Sequence, residues 1–216
     1  MPTKQPRIAI VGAGLAGLTL ARILHLGGMA ASVFEREAGP QARPQGGTPD
    51  LHEKAGPPAQ RCAALRAMLL AALPERTVYW DCELRQALPW GAGCWKLALD
   101  GGGEVGPFDL VVGADGAGSR VRPLLFAHPP LPAGHPWPNR RGLTLLGDAA
   151  HAQPPFGEAG LNAALLDAAG LGQALAQEAD WAAVVVRHEA AMFARMRQAA
   201  ADPATATRIP TPPVMA

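Results

Sequence analysis

The chain has 216 residues, a formal net charge of +1, 49% hydrophobic residues and 17% charged residues. That length is enough for one domain with its own core, and a charge so near zero excludes a general electrostatic pull toward nucleic acid or acidic membranes. The three cysteines, Cys62, Cys82 and Cys94, form no CxxC and no metal-ligand spacing. Their odd count speaks against a disulfide framework and for thiols in a reducing compartment.

In chain order, Arg7–Val11 is a short β-branched run that reads as a buried parallel strand. The run passes into glycines rather than a cleavage site, and no apolar stretch approaches the roughly 20 residues of a membrane span. A cytoplasmic protein is therefore expected. Leu15–Leu26 carries apolar residues at helical spacing, with Gly27-Gly28 as the C-cap. Ala31–Phe34 is a second strand closed by Glu35, giving β-α-β. A loop over Gly39–Pro58 follows, then a helix over Arg61–Leu73 that Pro74 stops.

Thr77–Leu84, Cys94–Leu99 and Phe108–Val112 are the next strand candidates, joined by short glycine-bearing turns. They predict an antiparallel ribbon feeding back into a parallel sheet. His128–Pro138 holds five prolines, which remove donors and block helix, so it reads as a linker. Leu143–Leu146 is the last strand, Leu161–Gln177 a helix with a small-residue face, and Trp181–Ala201 another helix. Disorder is predicted from Asp202 onward.

Three motifs carry chemistry. Gly12-Ala13-Gly14-Leu15-Ala16-Gly17 fits GxGxxG between a strand and a helix. Gly12 permits the tight turn, Gly14 lets a pyrophosphate approach the backbone, and Gly17 lets the helix pack on the strand. The helix start supplies unpaired N–H groups for phosphate. Glu35 can accept hydrogen bonds from both hydroxyls of an adenosine ribose and would repel a 2′-phosphate. This fingerprint alone does not choose between NAD and FAD.

The second motif is Gly147-Asp148-Ala149-Ala150-His151, followed by Pro154-Pro155-Phe156 and Gly160-Leu161-Asn162 at a helix start. Asp148 could bind a ribityl or ribose hydroxyl, and the N–H groups around Gly160–Asn162 could stabilise negative charge on a reduced flavin. The third is "DLVVGADGAGSRVR", in which Asp115-Gly116 closes a strand. That element can equally be only a capped turn. No metal site and no general acid or base is singled out. His52 and His151 lie inside motifs, but loop histidines commonly serve as hydrogen-bonding or surface groups.

With these stretches in order, together with "VFERE", "GGTPDLHEKAG" and "LRAMLLAALPERTVYWD", the chain resembles the flavoprotein aromatic hydroxylases, the family of p-hydroxybenzoate hydroxylase. Within that family it is most similar to the tetracycline-inactivating monooxygenases. The resemblance implies an α/β, Rossmann-like FAD-binding domain of glutathione-reductase type, with a parallel sheet, an antiparallel ribbon and C-terminal helices. It implies FAD as cofactor, NADPH or NADH as reductant, and insertion of one oxygen of O2 into a small organic substrate.

Carried over by position, the cofactor residues are Gly12, Ala13, Gly14, Leu15, Ala16, Gly17, Glu35, Arg36, Asp50, Asp115, Asp148, Pro155, Gly160, Leu161 and Asn162, with Arg43 toward the nicotinamide cofactor. The family's FAD-contacting arginine falls on Cys62, with Arg61 one place earlier as the candidate. Glu158 stands where relatives often place a small residue, and a carboxylate there would oppose flavin reduction.

The resemblance also implies that two blocks of the family's substrate-binding sheet are absent, replaced by Pro-rich joins at 57–60 and 128–138. A single FAD-binding domain over 1–201 is expected, built from segments 1–56, 61–127 and 139–201, with a tail over 202–216. Apolar surface left bare by the missing sheet would favour a homodimer. Three functions stay open: a minimised monooxygenase, an FAD-binding protein with only NAD(P)H oxidase or flavin carrier activity, and a non-catalytic interaction module.

Overall fold

The computed structural model describes residues 5–41, 58–126, 134–151 and 158–201. Arg43, Asp50, His52, Pro155 and the expected tail lie outside the described residues.

The first β-α-β unit forms where the hydrophobic pattern places it, as β1 (Ile8–Val11), α1 (Leu15–Leu26) and β2 (Ala31–Phe34). Helix α2 covers Pro58–Ala71. It begins inside the expected 57–60 join because proline suits the first helical position, where its missing N–H has no partner to lose. The strand expected over Thr77–Leu84 is instead two: β3 (Val78–Tyr79) and β4 (Leu84–Pro89). Between them Asp81 takes φ 53°, and Asp81 N–H and Cys82 N–H donate to the carbonyls of Glu37 and Glu35. The chain thereby leaves one sheet and enters another.

Strands β5 (Trp95–Leu99), β6 (Glu104–Phe108), β7 (Leu110–Gly113) and β8 (Leu143–Leu145) follow, then helices α3 (Glu158–Gln177) and α4 (Trp181–Ala201). Strand β6 escaped the pattern reading because it contains Gly106-Pro107. Proline cannot donate to a ladder, but β6 lies at an edge of its sheet, where this is tolerated.

Among the described residues, one sheet is parallel with order β3-β2-β1-β7-β8, and the other is the antiparallel β4-β5-β6 ribbon. Alternation along β1 divides the core. Ile8 and Ile10 pack with Leu18, Leu24, Leu171 and Val184 of the helices, whereas Ala9 and Val11 pack with Leu97, Leu143 and Val121 on the ribbon side. Leu18, Leu20, Leu24 and Leu171 are each fully buried, contributing on the order of 1.5–3 kcal/mol apiece. The parallel sheet is thus covered on both faces, as its β-branched composition requires.

The chain entering β8 is pinned by a buried carboxylate. Glu189 of α4 accepts hydrogen bonds from Trp137 Nε1 (3.1 Å), Asn139 Nδ2 (3.1 Å) and Thr144 Oγ1 (2.9 Å). Residues 134–138 are irregular, as the prolines predict, yet Trp137 is buried against Phe126 and Phe193.

Candidate functional site

Because strands β2, β1, β7 and β8 are parallel, their C-terminal ends share one edge of the sheet. The order of connection reverses at β1, which has β2 on one side and β7 on the other. The crevice outside such a reversal is where open α/β sheets bind ligands. Gly12, Glu35, Asp115 and Asp148 all stand at this edge, at the ends of β1, β2, β7 and β8 respectively. From Glu35 to the turn holding Asp148 is three strand spacings, about 14 Å, so the predicted residues lie in a row across the sheet.

The glycine turn is built from close contacts. Gly12 has φ +104°, and a Cβ there would lie 2.4 Å from the Ala114 carbonyl oxygen beyond β7. A Cβ on Gly17 would lie 2.1 Å from the Gly12 oxygen. Both glycines are therefore required by the protein's own packing. Gly14 is different: its Cβ would come no nearer than 3.9 Å to Ala114 O. It also has no side-chain cap bond at the start of α1. The first helical bond there is donated by Leu18 N–H to Gly14 O, so the N–H groups of Leu15, Ala16 and Gly17 precede it. A half-buried helix start with unpaired N–H groups, and room for a Cβ at its first glycine among the described residues, has the makings of an anion cradle.

Glu35 is buried, with Oε2 accepting from Ala13 N–H (2.6 Å) and Oε1 from Glu37 N–H (3.1 Å). The expected ribose acceptor is thus also a staple of the turn. Arg66, which the motif reading passed over, is buried beneath it. Its Nε donates to Ala13 O at 2.9 Å, Nη2 reaches Glu37 Oε2 at 2.9 Å, and Nη1 reaches Pro40 O at 3.4 Å. Arg61, the candidate taken from the family's arginine position, is exposed on the first turns of α2, as is Arg36 after β2. The signal for Arg66 was present in "LRAMLL": an arginine on the inward side of an otherwise apolar helix needs a polar reason to be there.

At the other end of the row, Gly147 packs between the first turn of α1 and the second turn of α3. A Cβ there would be 3.4 Å from Ala16 Cβ and 3.4 Å from Ala164 Cβ. The start of α3, with Gly160 and Leu161 half-buried and Asn162 exposed, is thus brought to the Gly147-Asp148 turn. Arg122 is buried behind that turn. Its guanidinium donates to the carbonyls of Ala149 (2.8 Å), Asp148 (2.8 Å), Ala117 (2.9 Å) and Gly116 (3.3 Å), tying the Asp115-Gly116 turn to the Asp148 turn.

Arg122 satisfies backbone, leaving the exposed Asp148 carboxylate toward solvent. Partial desolvation raises the Asp148 carboxyl above its usual range and the Arg122 charge opposes this. Asp115 Oδ2 accepts from Arg120 N–H at 2.7 Å, while Oδ1 is buried with no partner among the described residues.

His151 lies three residues past Asp148. It is buried near the Trp137 ring, and burial followed by the Arg195 charge pushes it down to about 4. A neutral, enclosed imidazole is not placed for proton transfer to a ligand. Among the described residues no group of histidine, cysteine, aspartate or glutamate is arranged to hold a metal ion. No helix is long and apolar enough to cross a membrane.

An FAD molecule fits these residues. The α1 N–H groups and the room for a Cβ at Gly14 among the described residues suit a diphosphate, the Glu35 carboxylate can accept from a ribose, and exposed Asp148 with the α3 start suits the flavin end. Asp115 Oδ1 adds a buried polar atom at the same crevice with no hydrogen-bond partner among the described residues.

The comparisons with known proteins point to the same cofactor. Residues 138–201 match a family model described as FAD binding domain. A stretch of 56 residues is 51% identical to the dual O-methyltransferase/FAD-dependent monooxygenase elcB of Phaeosphaeria nodorum, covering 26% of this chain and only 6% of that protein. Among solved structures, a Klebsiella pneumoniae HpxO variant complexed with FAD superposes with a TM-score of 0.71 at 16% identity, over 89% of this chain and 87% of that one. 2,6-Dihydroxypyridine-3-hydroxylase from Arthrobacter nicotinovorans gives 0.71 at 15% identity, over 91% and 90%. The tetracycline destructase Tet(51) gives 0.69 at 14% identity, over 90% and 88%. Residues 138–201 thus resemble an FAD binding domain, and the chain shares the fold of these solved structures.

Proposed function

We propose that the protein is an FAD-dependent monooxygenase that uses NADPH or NADH and acts on a small, aromatic or tetracycline-like, compound in a minimised scaffold. The observation that carries this reading is the row of groups along one sheet edge: the α1 start, Glu35, and the Gly147-Asp148 turn joined to the α3 start. Bound FAD would supply hydride acceptance and the reaction with O2. The chain's own part is to hold the diphosphate at Gly14–Ala16, the ribose at Glu35, and the flavin end between Asp148 and the Gly160–Asn162 turn, where helix N–H groups favour negative charge. Arg43, Asp50 and Pro155 belong to the same proposal, as do Asp115 and the exposed Arg36 and Arg61.

A second reading has its own observation. The chain passes from the turn at Arg122–Leu124 to β8 by a short segment whose described part is stapled to α4 through Trp137, Asn139 and Glu189. Such a path leaves little chain to roof a flavin ring, and water excluded by such a roof is what keeps oxygen transfer coupled to substrate. An FAD protein limited to NAD(P)H oxidase or flavin carrier activity follows if no other cover forms. A homodimer would supply cover, and we place residues 1–201 as one FAD-binding unit working in the cytoplasm.

The experiment is a visible spectrum of the purified chain, then oxygen, peroxide and product balance with NADPH and with NADH. Oxygenated product matching the reductant consumed supports the monooxygenase. Peroxide accounting for nearly all of it supports the oxidase. A colourless protein that takes up no added FAD overturns both.

A further inference from the structure

The peptide units of the glycine turn are held from beneath at successive positions. Ala13 N–H is bound by Glu35 Oε2 at 2.6 Å, and Ala13 C=O receives Arg66 Nε at 2.9 Å. In a trans peptide the C=O and the following N–H point in opposite directions. Binding of Ala13 N–H toward Glu35 therefore sends Gly12 C=O the other way, and it does point at Gly17, whose Cβ position is 2.1 Å from it. By the same geometry, an Ala13 C=O drawn down to Arg66 sends Gly14 N–H the opposite way, away from the Arg66 guanidinium.

Arg66 is itself locked. Its guanidinium fork spans Ala13 O and Glu37 Oε2, its side chain is only 7% exposed, and it lies 5.7 Å over the Trp80 ring. Glu37 is in turn fixed through its own N–H to Glu35 Oε1. The arrangement is a closed relay from Glu35 through Glu37 and Arg66 back to the peptide of Ala13.

We infer that Arg66 is a positioning residue for cofactor binding, which orients the Gly14 N–H toward the diphosphate by holding the Ala13 carbonyl. The inference rests on the FAD reading above and adds a residue that touches no ligand itself. A peptide flip at Ala13-Gly14 would replace a donor by a carbonyl facing a diphosphate, turning attraction into repulsion. Arg66 prevents that flip by supplying a charged donor on the inner side.

The test uses the full chain with flavin removed, as wild type, Arg66→Met, Arg66→Lys and Glu37→Gln. FAD affinity is read by fluorescence titration, the unfolding temperature is read without ligand, and the phosphorus NMR shifts of bound FAD are compared. Arg66→Met is expected to weaken FAD by about 10- to 100-fold, the loss of one hydrogen bond to a charged group plus the exposed carbonyl, and to move the diphosphate resonances. Arg66→Lys keeps a charge opposite Glu37 but lacks the fork, so it should weaken FAD about fivefold or more and move the same resonances. It carries the test if the methionine variant does not fold. Glu37→Gln should give the same displacement in smaller measure.

Variants that unfold at lower temperature but bind FAD with the wild-type constant and unshifted phosphorus resonances overturn the inference, because a purely structural arginine does just that. The same affinities are measured with ADP. If wild type ignores FAD yet binds ADP in an Arg66-dependent way, the functional reading falls and the positioning role stands. If it binds neither, both fall.

Discussion

The two ends of the site are built on opposite principles. At the β2 end, the carboxylate of Glu35 is buried and already bonded to Ala13 N–H and Glu37 N–H. At the β8 end, the carboxylate of Asp148 is exposed, while Arg122 behind it binds the carbonyls of the turn rather than the acid. One acid is part of the scaffold as well as of the proposed site, and the other is held out by the scaffold. The same contrast runs through the glycines, since Gly12 and Gly17 are demanded by internal contact whereas Gly14 is not. A site residue can therefore be explained by the fold, by the ligand, or by both, and substitution separates the cases.

The largest expected effect tests the scaffold side. Gly12→Ala forces a Cβ to 2.4 Å from a backbone oxygen at φ +104°, which should cost about 3 kcal/mol of stability. Gly14→Ala should change unfolding by about 0.5 kcal/mol or less while markedly weakening FAD. Equal destabilisation by the two in chemical denaturation would erase the distinction between them.

Next in size, Glu35→Gln leaves a buried N–H without its acceptor and should destabilise the ligand-free chain by about 1–3 kcal/mol. Asp148→Asn should leave that stability within about 0.5 kcal/mol and weaken FAD roughly tenfold. Thermal unfolding with and without FAD reads both; if Asp148→Asn is the more destabilising in the absence of ligand, the comparison is inverted.

A third effect is set by pH behind the β8 end. His151 and His188 are both buried, and both are pushed down to about 4 by burial and then by Arg195, which itself pairs with Asp167. Their folded values lie below the unfolded 6.5, so the unfolded chain holds more protons between those limits. Their contribution is fully present above pH 6.5 and is lost as pH falls toward 4. Unfolding should take up as many as two protons in that window, and His151→Gln with His188→Gln should flatten the acid limb of the stability profile. The smallest effect concerns the exposed Arg120–Glu83 pair that links the Asp115 turn to the ribbon. Glu83→Gln should cost less than about 1 kcal/mol, and less again in high salt, by the same unfolding measurement.

The β1-α1-β2 unit was legible because its signals are local. Four β-branched or small apolar residues, a glycine turn and a helical stripe lie within one short stretch, and α4 came out with the bounds Trp181–Ala201 read from its periodicity. Glu35 and Asp148 could be placed at the strand edge from sequence because Glu35 follows β2 directly and Asp148 lies in the turn after β8. The antiparallel ribbon was legible in kind but not in detail. Asp81 turns the chain out of the parallel sheet, and Gly106-Pro107 disguised an edge strand.

What the order of residues settled alone was the first crossover, the small-residue demand at Gly12 and Gly17, and the run of helices at the end, since these depend on neighbours a few positions apart. Only the folded chain decided that Arg66 lies under the glycine turn, that His151 is shut away, and that Glu189 pins the proline-rich entry to β8. Arg66 meets Ala13 across 53 positions and Glu189 meets Trp137 across 52. Contacts at that separation are chosen by how sheets and helices pack, which no local pattern encodes.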